Sequence, residues 1–294
     1  MGKWFTVTID TEGDRICPFF VRRWGPLTGK FSSVLEGIPR LRSVWNNFSA
    51  LPVYLVTDGV LSCPDCIEVL KQEQAAGAEV GTHLHIGDDF PCNVPQERRY
   101  LEQLTNLYEQ ALGARPCSYR AGRYGMSDKT LTALAELGYK VDSSVTPYVD
   151  WSAQGGPDYS SFSNRPYWAQ GVLEVPITVL GKRKWWPFGG WSKYRWLRPS
   201  VATAEHLKRI VDLACDAGLE VLNMAFHTME LIPRASPYVR TKAEAALYLK
   251  RLEKTIAYIT SKGYEPTTLS GLHAAWGRQA PAEGNVPAGG NRQN

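Results

Sequence analysis

The chain has 294 residues, 44% of them hydrophobic and 21% charged, which is ordinary usage for a globular protein and excludes collagen-like or wholly disordered chains. That length allows one large domain or two small ones. Lys and Arg exceed Asp and Glu by only 33 − 29 = 4, a basic balance too mild for a nucleic-acid binder.

Residues 4–9 read as a first strand, followed by a helical stretch near 37–47 and a second strand at 53–56. Residues 64–76 read as a helix closed by Gly77, and 79–83 as a third strand. The stretch 95–112 is a strong amphipathic helix, with Tyr100, Leu104, Leu107, Tyr108 and Ala111 on one face. A fourth strand is expected at 117–120. Ser127 is placed to cap a helix that runs to Leu137 and stops at Gly138. Strands at 139–142 and 173–177 follow, then a helix from Thr203 to Ala217 and a seventh strand at 219–226. Thr241 starts the last long helix, to Lys262, and a short apolar piece at 267–276 closes the pattern.

This strand–helix alternation argues for a parallel α/β architecture, barrel or doubly wound, with no linker rich enough to split it. Two insertions interrupt it. Residues 143–171 read as loop. Residues 181–199 are basic and aromatic, with the run Lys182-Arg183-Lys184-Trp185-Trp186 and four further aromatics. One domain over 1–278 is expected, with a Gly/Pro/Asn/Ala-rich, disordered tail at 279–294.

Six cysteines, at 17, 63, 66, 92, 117 and 215, do not form a disulfide framework for this length. The chain shows no basic, apolar export signal and no apolar run of the roughly 18–20 residues that span a bilayer. A cytoplasmic location with reduced thiols is therefore expected. Cys63-Pro64-Asp65-Cys66 could be a redox pair or half a zinc site. Two cysteines in the first turn of a helix is the favoured reading, since no second such pair follows.

The chemistry lies at the C-terminal ends of the strands. They carry Asp10 and Glu12, Asp58, His83 and His85, Arg120, Asp142, and His227. In a parallel barrel these ends converge on one mouth. Residues two apart on an extended chain point the same way, so Asp10 pairs with Glu12 and His83 with His85. Two carboxylates and two imidazoles facing one centre suit a divalent, zinc-like ion. A metal-bound water needs a base and a leaving group needs an acid. A carboxylate beside the ion can be the base. His227, after an apolar strand, is the natural acid. His206, inside an amphipathic helix, and His273, near the chain end, read as surface and structural residues.

These residues resemble the NodB-homology polysaccharide deacetylases, carbohydrate esterase family 4, over roughly residues 4–275. Thr8-Ile9-Asp10-Thr11-Glu12 resembles the first motif, Gly81-Thr82-His83-Leu84-His85 the second and Arg120-Ala121-Gly122-Arg123-Tyr124-Gly125 the third. Val141-Asp142-Ser143-Ser144 falls where the fourth lies, and Ala225-Phe226-His227 resembles the fifth. The stretch His227-Thr228-Met229-Glu230-Leu231 looks most like the branch associated with lipopolysaccharide and surface-glycan biosynthesis. The resemblance implies a deformed (β/α)7-type barrel. It implies Asp10 as base, Arg120 orienting it, His227 as acid, and Glu12 and His83 as ligands of one divalent ion, zinc first, cobalt or nickel otherwise. The family's second histidine usually lies four after the first, where this chain has Gly87, so His85 takes its place. A backbone N–H near Arg123 or Tyr124 would hold the oxyanion. Arg123, Tyr124, Asp58, Asp142 and Glu230 are the candidates for substrate contact.

The implied reaction is hydrolysis of an N-acetyl group, with O-acetyl second, on a sugar in a surface-glycan or lipopolysaccharide precursor, carried on a nucleotide or a lipid. The 181–199 insertion could stack on sugars, meet phosphates, or make a peripheral contact with the inner face of the membrane. A degenerate member of the same fold that binds glycan without cleaving it is the alternative. Two other classes fit less well. A proofreading-type exonuclease shares the D-x-E opening but needs an Asp five after a later His, where Ile232 and Arg278 stand. An amidohydrolase barrel carries its H-x-H on the first strand, not the third.

Overall fold

In the computed structural model, which describes residues 2–14, 29–181 and 194–277, the β-branched runs form the inner layer and the amphipathic stretches pack around it. The chain runs β1 (Trp4–Thr11), α1 (Ile38–Phe48), β2 (Pro52–Val56), α2 (Asp58–Leu61), α3 (Pro64–Ala75), β3 (Glu79–Leu84), α4 (Glu97–Leu112), β4 (Ser118–Ala121), α5 (Asp128–Leu137) and β5 (Val141–Asp142). It continues through β6 (Tyr167–Ala169), β7 (Val172–Glu174), β8 (Val179–Leu180), β9 (Arg195–Trp196), α6 (Ala204–Asp216), β10 (Val221–His227), α7 (Lys242–Ser261), β11 (Glu265–Pro266) and α8 (Leu269–Gly277).

The main sheet has the order β10-β1-β2-β3-β4-β5-β7-β6, with β11 beside the start of β1. All its pairings are parallel except β6 with β7. β2 is buried along its whole length, as a central parallel strand covered on both faces must be. The barrel closes without a regular ladder. Beyond β7, the Thr178 amide donates to Asn223 O at 3.0 Å, and Asn223 Nδ2 of β10 donates to Ser143 Oγ at 2.9 Å and Val175 O at 3.2 Å. This seam of scattered backbone bonds, the Ala225 amide to Leu197 O at 3.4 Å among them, and side-chain bonds makes a deformed (β/α)7-type barrel.

The helix caps follow the sequence. Ser127 and Thr130 form a capping box at α5, Thr241 and Glu244 another at α7, and Thr203 caps α6. Cys63 precedes α3 and Cys66 sits buried in its first turn. The five described cysteines are free.

The structure departs from the sequence reading in three places. The stretch 143–171, read as loop, holds β6, joined to β7 through Gln170 (φ 51°) and Gly171 (φ 79°). Two consecutive left-handed residues make a tight hairpin, and Gln is not a residue that announces one. The sixth strand, expected at 173–177, is Val172–Glu174. The basic aromatic insertion is gripped at its base by the antiparallel pair β8–β9, while residues 182–193 lie outside the described residues. The expected tail at 279–294 and Cys17 also lie outside them. No described helix is long and apolar enough to cross a membrane.

Candidate active site

Parallel register brings the polar strand ends together. Asp10 of β1 is level with His227 of β10, and His83 of β3 is level with Arg120 of β4. Glu12 and His85 lie just past the ends of β1 and β3. Asp10, Glu12, His83, His85 and His227 line one cavity of about 440 Å³, together with Arg123, Tyr124, Trp151, Arg198 and Met229.

Asp10 is held as an anion. Arg120 Nη1 lies 2.7 Å from Asp10 Oδ1. Arg120 is itself fixed by bonds from Nε to Ser143 O at 2.7 Å and from Nη2 to Thr8 Oγ1 at 2.6 Å. Burial works to raise the Asp10 pKa, but Arg120, helped by His83 and His227, overrides it and holds it at about 2. The second carboxylate oxygen faces His227 Nε2 at 3.6 Å.

Glu12, His83 and His85 offer ligand atoms that all lie within 4.8 Å of one another. Glu12 Oε1 is 3.3 Å from His85 Nε2 and 3.7 Å from His83 Nε2. Burial pushes the Glu12 pKa up, and the neighbouring histidines bring it well below the ordinary glutamate value. Two features make this cluster fit a metal. His83 Nδ1 is 2.9 Å from the Arg120 carbonyl, an acceptor that keeps a proton on Nδ1, so Nε2, on the Glu12 side, is the ring atom that could bind an ion. His85 Nε2 is buried without a partner in hydrogen-bonding geometry among the described residues. Two imidazole nitrogens and one carboxylate oxygen form a three-ligand set of the kind that leaves a tetrahedral zinc one open position.

Arg123 and Tyr124 both have positive φ, 54° and 63°, so the chain turns sharply at the cavity wall. Arg123 packs over Phe90 and bonds to the Asp88 carbonyl. Tyr124 stacks on Trp151, and its carbonyl accepts from Tyr159 OH at 2.6 Å. Gly122 permits the close approach beneath them: a Cβ there would lie 2.5 Å from Leu84 O and 2.7 Å from His85 Nδ1.

Three of the residues read as substrate contacts lie elsewhere. Asp58 is exposed outside the cavity lining, its carboxylate accepting from the Gly59 amide. Asp142 is fully buried away from the cavity, bonded to Ser144 Oγ at 2.6 Å and paired with Glu174. Glu230 is also fully buried, against His227, Arg198 and Tyr248. Burial would raise its pKa, but Arg198 and then His227 hold it at about 2. Arg198, Trp151 and Met229 were not singled out from sequence. Only the basic, aromatic character of 181–199 hinted at Arg198.

The chain matches no protein-family model and no curated protein by sequence. Its fold does match solved structures. A protein assigned as a polysaccharide deacetylase from Mycobacterium smegmatis aligns over 98% of this chain and 96% of its own, with TM-score 0.60 and 19% identity. A protein assigned as a glycoside hydrolase/deacetylase from Parabacteroides distasonis aligns over 95% and 72%, with TM-score 0.69 and 14% identity. An allantoinase aligns over 95% and 92%, with TM-score 0.62 and 16% identity. The chain thus has the fold of the NodB-type polysaccharide deacetylases, as its motifs led one to expect.

Proposed function

We propose that this protein is a metal-dependent deacetylase that hydrolyses an N-acetyl group from a sugar in a surface-glycan or lipopolysaccharide precursor. The observation that carries the reading is one juxtaposition: an ionised Asp10 and His227 face each other at 3.6 Å beside the Glu12–His83–His85 cluster.

Glu12, His83 and His85 would hold a divalent ion, zinc first, which when bound would make a water more acidic and polarise the acetyl carbonyl, as a carboxylate as weakly basic as Asp10 requires. Asp10, kept ionised by Arg120, takes the proton of the attacking water. A backbone N–H of the Arg123–Tyr124 turn donates to the oxyanion, which a single such donor stabilises by a factor of about 100 or more. His227 gives a proton to the leaving nitrogen. The C–N bond breaks, and acetate and a free amine leave. Trp151 and Tyr124 on the cavity wall offer an apolar face to a sugar ring. The precursor is read as nucleotide- or lipid-linked, taken at the inner face of the membrane through residues 181–199.

The test is acetate release by zinc-reconstituted protein from acetylated sugar nucleotides, lipid-linked sugars and peptidoglycan fragments, with allantoin alongside. Acetate and amine in equal amounts from a sugar support the reading. Saturable glycan binding without acetate would favour the degenerate, non-catalytic alternative. Ring opening of allantoin would move the substrate to cyclic amides. Flotation on vesicles of wild type and of a variant with Trp185, Trp186 and Trp191 changed to Ser tests the membrane contact; equal behaviour of the two would remove it.

A further inference from the structure

We infer that Glu230 does not touch substrate but is the positioning residue of His227, and is itself clamped by Arg198 and Tyr248. The inference rests on the reading of His227 as the acid. His227 ends β10, and the turn Thr228–Leu231 that follows folds Glu230 back against its ring. Glu230 Oε1 lies 3.1 Å from His227 Nδ1 and 2.6 Å from Arg198 Nη2. Its other oxygen accepts from Tyr248 OH of α7 at 2.7 Å. Each carboxylate oxygen is thus tied to a different part of the fold, and a group with no exposed surface cannot meet a sugar.

Arg198 adds a second constraint. Its Nη2 lies 3.0 Å from the same His227 Nδ1, and its Nε donates to Ser200 Oγ at 2.8 Å. A guanidinium has donors only. Of these two neighbours, Glu230 is the one that can accept an N–H on Nδ1, while a bare Nδ1 can receive Arg198. The ring keeps a partner in either tautomer, and its plane stays fixed. Its Nε2 remains directed at the space between Asp10 Oδ2, at 3.6 Å, and Glu12 Oε1, at 3.8 Å. Arg198 stands where the basic aromatic insertion returns to the barrel, so this insertion is built into the placement of the acid.

A positioned acid matters only when the leaving group needs a proton. The zinc-reconstituted full chain is therefore compared on an acetylated amino sugar and on 4-nitrophenyl acetate, whose phenolate leaves unprotonated. Since general acid catalysis is worth about 10²–10⁴-fold, Glu230→Gln should lower amide kcat about 100-fold, leave KM within about twofold, and lower ester turnover less than about threefold. Tyr248→Phe should shift amide turnover in the same sense by a smaller factor, and it carries the comparison if Glu230→Gln does not fold. Equal loss on amide and ester, or a rise in KM with kcat kept, overturns the assignment. If wild type cleaves neither compound, the deacetylase reading fails separately. Proton NMR then decides the geometry, with the His227 signals assigned by their absence in His227→Gln. A downfield Nδ1–H present in wild type and shifted in Tyr248→Phe supports the clamp, and its absence from wild type overturns it.

Discussion

Arg120 Nη1 lies 2.7 Å from Asp10 Oδ1, and the two side chains are 0% and 4% exposed. An ion pair so enclosed is held together by the cost of breaking it. Removing one partner strands the other charge out of water, a loss of about 3–5 kcal/mol. Arg120→Met should therefore lower unfolding free energy by about that amount, because Asp10 loses its counter-ion while Thr8 and Ser143 lose donors. Urea denaturation measures it. A change below about 1 kcal/mol would mean that Asp10 is not carried as an anion.

Asp10→Asn is the complementary change. The amide oxygen can still accept from Arg120, so the fold and the Glu12–His83–His85 cluster should survive. The side chain can no longer take a proton from water. Turnover should fall by a factor of about 100 or more with zinc content unchanged. Activity equal to wild type would remove Asp10 as the base.

His83→Ala removes one of three candidate ligands and frees the Arg120 carbonyl that fixes the ring's tautomer. Elemental analysis of wild type should find about one zinc-like ion per chain, in line with a three-ligand site. The variant should lose it, as should His85→Ala. Full retention in His83→Ala would place the metal elsewhere.

How far the site was legible in the sequence follows from strand geometry. Asp10, Glu12, His83, His85 and His227 were readable because residues two apart share a face and parallel strands end at one rim. The same rule misplaced Asp142. It lies at the end of β5, but its register partner is Tyr119, one residue before the inward-facing Arg120. A shift of one residue puts a side chain on the opposite face of the sheet. Asp142 accordingly points outward to Glu174, and strand ends alone could not reveal it. Asp58 failed for another reason: β2 ends at Val56 and Asp58 already belongs to α2, facing solvent. Arg198 was hidden because nothing local marks which cation of a basic run returns to the barrel. That is set by β8 and β9, two residues each, too short to carry a period.

Gly122→Ala tests how tightly the second histidine is placed. The added methyl would meet Leu84 O at 2.5 Å and His85 Nδ1 at 2.7 Å. Contacts this short force a shift, and the His85 ring moves more easily than the β3 backbone. Disturbing the support of a metal ligand typically costs about 10–100-fold in affinity, and that loss is expected for zinc in competition with a chromophoric chelator. Unchanged affinity would show that His85 is not a ligand, even if the Glu12–His83 pair is.

Glu174 should make stability fall as pH rises. It is fully buried, one oxygen accepts the Val145 amide at 3.0 Å, and the other has no hydrogen-bond donor among the described residues. Burial and the charge of Asp142 push its pKa well above the ordinary value of 4.5, and a proton on Glu174 would satisfy the facing Asp142 carboxylate. A carboxyl whose folded pKa is raised binds more protons folded than unfolded. Its contribution is complete below the unfolded value of 4.5 and is lost as pH climbs from there toward the folded value. Urea titrations at several pH values from about 5 upward should show wild type weakening by up to about 1.4 kcal/mol per pH unit within that window. Glu174→Gln keeps an acceptor for Val145 and a donor for Asp142 but cannot ionise, so its curve should be flatter than wild type over the same range. Parallel curves would mean that Glu174 is already ionised in the fold, and that some other donor satisfies Asp142.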